Sequence, residues 1–382
     1  MLWIFLCYDS KMIDKIIDSV KDSEILSGEK KTARVAINGF GRIGRAFLKV
    51  VVETNNKNID IVAINDLGDI DNMAYLLTYD TVYKKSDFTV TTKKVNETEN
   101  YLVIKTKTGK SMEIKFIQQR DPTMLPWKDL NIDIVVESTG LYTSYDKANV
   151  HINSGAKRVV ISAPAKMGED ANVLGETVLM GVNEDKINSC SITSNASCTT
   201  NASSPLIAIL DEAIGIEKAM LNTVHAYTAS QSIVDGPNKK DYREGRAGAQ
   251  NIVPSSTGAA IAVAKVFTQI DGKFDGIAMR VPVPAGSIVD ITFISKRNTT
   301  KEEVNDILRA AAKTSRWSEI FSASDEELVS SDIQGSSFAS IADLKMTRVV
   351  DGNLVKVLGW YDNEMGYTHT LVKHVTQVAK II

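Results

Sequence analysis

Cysteine and histidine are scarce in this chain of 382 residues, with three of the first and four of the second. Cys7, Cys190 and Cys198 form no CxxC pair, and His151, His225, His369 and His374 show no ligand cluster. That usage argues against a disulfide framework and against a zinc site, so no metal is expected, and it suits a reducing cytoplasm. No apolar run approaches the roughly 20 residues that cross a bilayer, so no membrane partner is expected. No basic stripe interrupts a net charge of −3, so nucleic acid is not an expected partner either. Repeats and low-complexity segments are also missing. What remains is the composition of a soluble α/β chain, 43% hydrophobic and 24% charged, long enough for two domains.

The first 31 residues stand apart. Leu2 to Tyr8 is an apolar run of seven without a basic leader or a small-residue cleavage site. Six acidic side chains and five lysines disfavour a transit peptide. Ile13, Ile16, Ile17 and Val20 keep helical spacing, so a short amphipathic helix is one expectation. A docking extension competes with a frayed, disordered tail or an upstream start with Met12 as the true one; the tail reading is preferred.

Chemistry begins at Arg34–Leu48. A short apolar strand ends in Gly39-x-Gly41-x-x-Gly44, and a helix with apolar spacing follows. In a dinucleotide fingerprint the first glycine permits the turn, the second lets the backbone approach a pyrophosphate, and the third packs helix on strand. The next strand, Ile59 to Ile64, ends in Asn65-Asp66, and Asp66 lies 22 positions after Gly44. A carboxylate there meets the ribose hydroxyls of NAD and repels the 2′-phosphate of NADP. Farther on, Ser194-Asn195-Ala196-Ser197-Cys198-Thr199-Thr200-Asn201 sets a cysteine just before an apolar helical run. A helix N-terminus favours the thiolate, and His225 is the base to seek beside it. A buried structural cysteine is the competing reading of that stretch.

Coarse organisation agrees with two domains. After the fingerprint, strands alternate with helical patterns, as in a mostly parallel sheet. A helix is expected near Asn72–Thr78, capped from Asp66–Asp69, then β-hairpins from Asp87 to Gln118, a buried strand at Ile132–Glu137, and a helix near Ser144–Ser154. From about Cys198 longer strands appear, Gly276–Val283 and Ser287–Ile294, with an antiparallel texture. Val234 to Ala249 is a long polar loop, usually a sign of function.

These motifs together resemble phosphorylating glyceraldehyde-3-phosphate dehydrogenases from about Ala33 to Ile382. The resemblance rests on Asn38-Gly39-Phe40-Gly41-Arg42-Ile43-Gly44-Arg45, Ser197-Cys198-Thr199-Thr200-Asn201, His225-x-Tyr227-Thr228, Ser256-Thr257-Gly258-Ala259-Ala260, Met279-Arg280-Val281-Pro282 and Trp360-Tyr361-Asp362-Asn363-Glu364-x-Gly366-Tyr367. It implies an α/β fold: a Rossmann-type NAD-binding domain over residues 32–197, completed by the C-terminal helix 366–382, and an α+β catalytic domain with a mostly antiparallel sheet over 198–365. It implies that Cys198 attacks the aldehyde of glyceraldehyde 3-phosphate, that His225 handles the protons, and that a thioester is cleaved by inorganic phosphate. By the same resemblance Thr228 and Arg280 hold the substrate phosphate, while Ser197, Thr199, Thr257 and Gly258 frame the attacking one. Gly39, Phe40, Gly41, Arg42, Ile43, Gly44, Asp66 and Asn363 are implied on NAD, with Asn363 at the nicotinamide carboxamide. Gly236-Pro237 looks like the NAD-preferring version of its loop, and a cytoplasmic homotetramer is implied.

Three departures stand out. Ala202 replaces a common second cysteine, Met365 a frequent tryptophan, and Tyr79-Asp80-Thr81-Val82-Tyr83-Lys84 leaves the usual pattern, which suggests an altered adenine-side or interface surface. The rival readings are erythrose-4-phosphate dehydrogenase, which shares the cysteine, histidine and fingerprint, and a non-catalytic NAD-binding scaffold.

Overall fold

The computed structural model describes residues 32–382 except 97, 98, 171 and 240. Its first sheet has the strand order β10 (Gly175–Thr177), β11 (Ile192–Ser194), β9 (Arg158–Ile161), β8 (Ile134–Glu137), β1 (Ala33–Asn38), β2 (Ile59–Asn65), β7 (Ser111–Ile117), β6 (Asn100–Lys105), β5 (Thr89–Lys94). Pairings from β10 through β7 are parallel; β7, β6 and β5 form the expected antiparallel hairpins. A small hairpin, β3 (Tyr79–Asp80) with β4 (Lys84–Lys85), stands apart.

β1 is buried along almost its whole length, as a parallel strand covered on both faces must be. Val35 and Ile37 enter one core with Phe47 and Leu48 of helix α1 (Arg42–Glu53) and with Leu371 and Val375 of the C-terminal helix α8 (Met365–Ala379). Ala36, one position out of phase, enters a second cluster with Val135 and Trp127, the period of two that a strand imposes. Helix α2 (Ile70–Thr78) is capped by Asp69, whose carboxylate accepts the N–H groups of Asp71 and Asn72. The helix expected over 144–154 is instead two four-residue helices, α3 (Tyr145–Ala148) and α4 (Val150–Asn153). At the break, the Asn149 N–H is shared between the carbonyls of Tyr145 and Asp146, a tightening typical of a poor helix former.

The second sheet runs β13 (Val253–Ser256), β14 (Phe274–Val281), β12 (Ile216–Ala226), β15 (Ser287–Ser295), β19 (Leu354–Tyr361), β17 (Ser340–Asp343), β16 (Phe321–Ser324), with β18 (Arg348–Val350) also on β19. Most pairings are antiparallel, but β14, expected to follow that texture, runs parallel to β12. A crossover carrying β13 and helix α6 (Ala259–Val266) separates the two strands, and only a connection of that length allows a parallel return. Buried residues alternate along β15, and they pack on α5 (Cys198–Ile214), α6 and α7 (Lys301–Ala312). Among the described residues no helix is long and apolar enough to cross a membrane. The helix expected within residues 1–31 lies outside the described residues.

Candidate active site

β1 passes into α1 through the glycine turn. Gly39 has φ of +95°, and a Cβ there would stand 2.6 Å from the Thr139 nitrogen. A Cβ on Gly44 would run into the Gly39 carbonyl oxygen, whereas nothing lies within 4 Å of one on Gly41. Gly41 is also the N-cap of α1, and no side chain caps it, so the first N–H groups of the helix are left for an anion. Asp66 turns onto the same turn: its Oδ2 accepts from the Phe40 N–H at 2.7 Å and its Oδ1 from that of Gly68 at 2.8 Å. Phe40 is fully buried and Ile43 packs on the first core. Arg42 commits its guanidinium to Asp80 and Glu364, leaving its N–H at the helix start. An open cradle, an uncapped helix start and a carboxylate beside them fit the pyrophosphate and ribose of a dinucleotide.

Cys198 follows a strained corner. After β11, Ala196 takes φ of +55°, a left-handed conformation that costs a residue with a Cβ roughly 1–2 kcal/mol. Its surroundings hold it there. The Tyr367 hydroxyl donates to the Ala196 carbonyl at 3.1 Å, and Asn201 Nδ2 donates to the carbonyls of Asn195 and Ser197 at 2.7 and 2.9 Å. Ser197 caps α5, its hydroxyl accepting the Thr200 N–H. Cys198 is thereby the first residue of α5, half-buried and packed against both large cores.

The parallel register of β12 and β14 sets His225 beside Arg280. His225 Nε2 lies 3.3 Å from Cys198 Sγ, and its Nδ1 lies 2.7 Å from the Ala226 carbonyl oxygen and 2.6 Å from Arg280 Nη1. The Tyr361 ring meets the imidazole edge-on at 5.9 Å. Burial, then the Arg280 charge, pushes the imidazole down to about 3, so His225 is neutral. Burial pushes the Cys198 thiol up, outweighing the opposite pull of Arg280 and Thr199, and so works against the thiolate that a helix start favours.

The other candidates lie at element ends and on the adjoining strand. Thr199 turns inward, its hydroxyl 3.1 Å from that of Tyr361. Arg280 Nε is buried without a hydrogen-bond partner, an unmet donor of the kind an anion satisfies. Thr228, just past β12, has its hydroxyl 3.0 Å from that of Ser230. Thr257 accepts the Ala259 N–H at the start of α6, next to the exposed N-cap Gly258. Asn363 follows β19, and its Oδ1 accepts from Ser287, whose hydroxyl in turn accepts the Ala226 N–H. Among the described residues no group of His, Cys, Asp or Glu is arranged to hold a metal.

Sequence reasoning missed three supports. Tyr361 links Thr199 to Thr223, and Ser287 links the strand of His225 to Asn363. Glu137, fully buried, accepts from Asn38 Nδ2 at 2.6 Å, from the Thr139 N–H at 2.8 Å and from His151 Nε2 at 2.9 Å; Trp127 donates to the other His151 nitrogen. It thus holds Thr139 against Gly39. The signal for it was a charged residue closing an otherwise apolar strand.

Comparison with known proteins places the chain. Residues 33–145 match the family model for the glyceraldehyde 3-phosphate dehydrogenase NAD binding domain, and residues 197–363 match that for the C-terminal domain. The glyceraldehyde-3-phosphate dehydrogenase of Thermotoga maritima is 47% identical over 350 residues, 91% of this chain and all of that one. Those of Streptomyces coelicolor and Borreliella burgdorferi are 46% identical over 343 residues (89% of this chain, 97% of the relative) and 45% identical over 354 residues (91% and 100%). With both family models matched in order and near-complete relatives above 40% identity, the chain belongs to the glyceraldehyde-3-phosphate dehydrogenase family.

Proposed function

We propose that this chain is an NAD-dependent phosphorylating glyceraldehyde-3-phosphate dehydrogenase of glycolysis or gluconeogenesis, forming 1,3-bisphosphoglycerate from glyceraldehyde 3-phosphate and inorganic phosphate. The observation that carries the reading is the 3.3 Å approach of Cys198 Sγ to His225 Nε2 beside the unmet Arg280 Nε. Thr228 and Arg280 take the substrate phosphate, which brings the aldehyde carbon to the thiol. Drawing the guanidinium onto that phosphate relieves the imidazole of the cation opposing its protonation. Nδ1–H then donates to the Ala226 carbonyl, and the Nε2 lone pair takes the thiol proton as sulfur adds to the carbonyl carbon. His225 returns the proton to the new oxygen, giving a hemithioacetal, and takes it back as the hydride leaves and the thioester forms.

Bound NAD supplies the hydride acceptor. Gly39, Phe40, Gly41, Arg42, Ile43 and Gly44 would hold its pyrophosphate, Asp66 the adenosine ribose and Asn363 the carboxamide. Inorganic phosphate then attacks the thioester carbon from a site framed by Ser197, Thr199, Thr257 and Gly258; the C–S bond breaks, and the leaving Cys198 sulfur takes back the proton held by His225. The Ser197 and Thr199 hydroxyls each have a partner within the protein, and main-chain N–H groups at the start of α5 add to what these two residues offer that site.

Residues 32–197 with the C-terminal helix 366–382 form the cofactor half, and 198–365 the catalytic half. The enzyme is a cytoplasmic homotetramer. Support comes from the loop around Val234 to Ala249, where Ile233 and Tyr242 are each 88% exposed and Ile252 is 70% exposed, apolar surface suited to cover by a neighbouring subunit. The test is NADH formation from glyceraldehyde 3-phosphate with and without inorganic phosphate, with Cys198→Ser as control. Phosphate-dependent turnover, lost in the variant, is expected; turnover of erythrose 4-phosphate in its place would refute the assignment.

A further inference from the structure

Asn363 sits between two residues that are each tied to the glycine-turn half of the molecule. On one side, the fully buried Asp362 accepts the Tyr83 hydroxyl at 2.7 Å on Oδ1, together with the N–H groups of Glu364 and Met365, and the Gly335 N–H at 2.8 Å on Oδ2. On the other, Glu364 pairs with the guanidinium of Arg42, the first residue of α1. Arg42 also pairs with Asp80 and lies over the Tyr83 ring, 5.6 Å from its centroid. Asp80 closes the circuit, because its Oδ1 accepts the N–H groups of Val82 and Tyr83 and so shapes the β3–β4 hairpin, where Lys84 takes φ of +61°. Burial, with the Asp362 and Glu364 carboxylates, pushes the Tyr83 hydroxyl up, so it stays a donor. The hairpin that supplies this tyrosine is the segment that leaves the family pattern.

We propose that Tyr83 is a positioning residue for the nicotinamide end of the cofactor: through Asp362, and with Arg42 on Glu364, it brackets Asn363 and fixes the direction of its side-chain amide. The proposal rests on the assignment of Asn363 to the carboxamide. Ser287 occupies the amide oxygen of Asn363, which leaves the NH2 end as the group that can donate to a ligand. The segment 362–364 has no regular structure to hold it, since β19 ends at Tyr361 and α8 begins at Met365. The carbonyls of Asp362 and Glu364 accept N–H groups of the helix start, and side-chain bonds do the rest, the Tyr83–Asp362 bond being the direct one from the hairpin. Removing the hydroxyl leaves Asp362 one donor short while Arg42 still holds Glu364, so the expected effect is a loosened aim rather than an unfolded loop.

Two ligands separate positioning from general structure: NAD, and ADP-ribose, which is NAD without its nicotinamide. In Tyr83→Phe, read by calorimetry on the full chain, the Kd for NAD is expected to rise about five- to tenfold while that for ADP-ribose stays within about twofold. Asn363→Ala should show the same selective loss, and the double variant should add little to it. Equal weakening of both ligands in Tyr83→Phe, or no change in either, overturns the proposal. An Asn363→Ala variant that keeps the ratio of NAD to ADP-ribose affinity overturns it too, and locates the failure in the assignment of Asn363 rather than in the strap.

Discussion

The cofactor turn and the thiol site reach function by opposite routes. From Gly39 to Gly44 the three glycines lie within six residues, and one strand–turn–helix places them. Cys198, His225 and Arg280 come from a helix start and two strands, brought together by the parallel register of β12 and β14. The first site is local and depends on backbone shape. The second is assembled, and it depends on side chains that correct one another's charge. The contrast predicts that damage to the turn shows mainly as lost cofactor affinity or stability, whereas damage to the assembled site shows as lost rate.

Cys198→Ser should give the largest effect, a fall in kcat of about 10³-fold or more with NAD affinity preserved, measured by initial rates and calorimetry. Arg280→Ala comes next. Loss of the guanidinium should lower kcat/KM for glyceraldehyde 3-phosphate by about 10²-fold. An unphosphorylated aldehyde loses no phosphate contact and should change far less, only through the altered charge around His225 and Cys198; equal losses on the two substrates would refute its place at the phosphate. Gly44→Ala forces a methyl against the Gly39 carbonyl, so about 1–3 kcal/mol of stability should go, read as a lower Tm, together with NAD affinity.

The raised thiol gives a subtler test. Its thiolate fraction grows with pH, so the alkylation rate of Cys198 by iodoacetamide should climb to a midpoint above that of free cysteine, and substrate should protect. A plateau already reached below pH 7 would mean that a thiolate–imidazolium pair forms at rest. The imidazole itself adds an acid limb to stability. Its pKa in the folded chain lies below the unfolded value, so the unfolded chain binds the extra proton between the two. Stability contributed by neutral His225, full above about pH 6.5, should then fall as pH drops toward about 3. Asp66→Ala should act least, relaxing the preference for NAD over NADP by about tenfold in relative Kd; an unchanged preference would shift that role to the loop near Gly236.

How much of this was legible in the sequence follows the same contrast. The glycine spacing, Asp66, and the cysteine before an apolar helix are contiguous or fixed-distance signals, so reading along the chain finds them. The hairpins from Asp87 and the cap at Asp69 were visible for the same reason. The pairing of His225 with Arg280 depends on two strands returning parallel after a long crossover, and strand texture alone suggested the other direction. The state of the thiol was also hidden. A helix N-terminus argues for the anion, but the depth of burial that overrides it is a property of the packed site. Glu137 was passed over, and the segment of Tyr83 was noticed only as a departure, because each acts through a partner far away in sequence, Asn38 in one case and Asp362 in the other.

Because Cys198 packs against both large hydrophobic cores, the proposed nucleophile is also a joint of the structure. Its surroundings persist only while both cores stand. On heating, activity should therefore vanish together with global melting rather than before it. The same event exposes the Cys198 thiol and two apolar interiors at once, so aggregation is the expected end of heat inactivation, and in air, with oxygen as the oxidant, part of the aggregate should be disulfide-linked and dissolve only in denaturant with reductant.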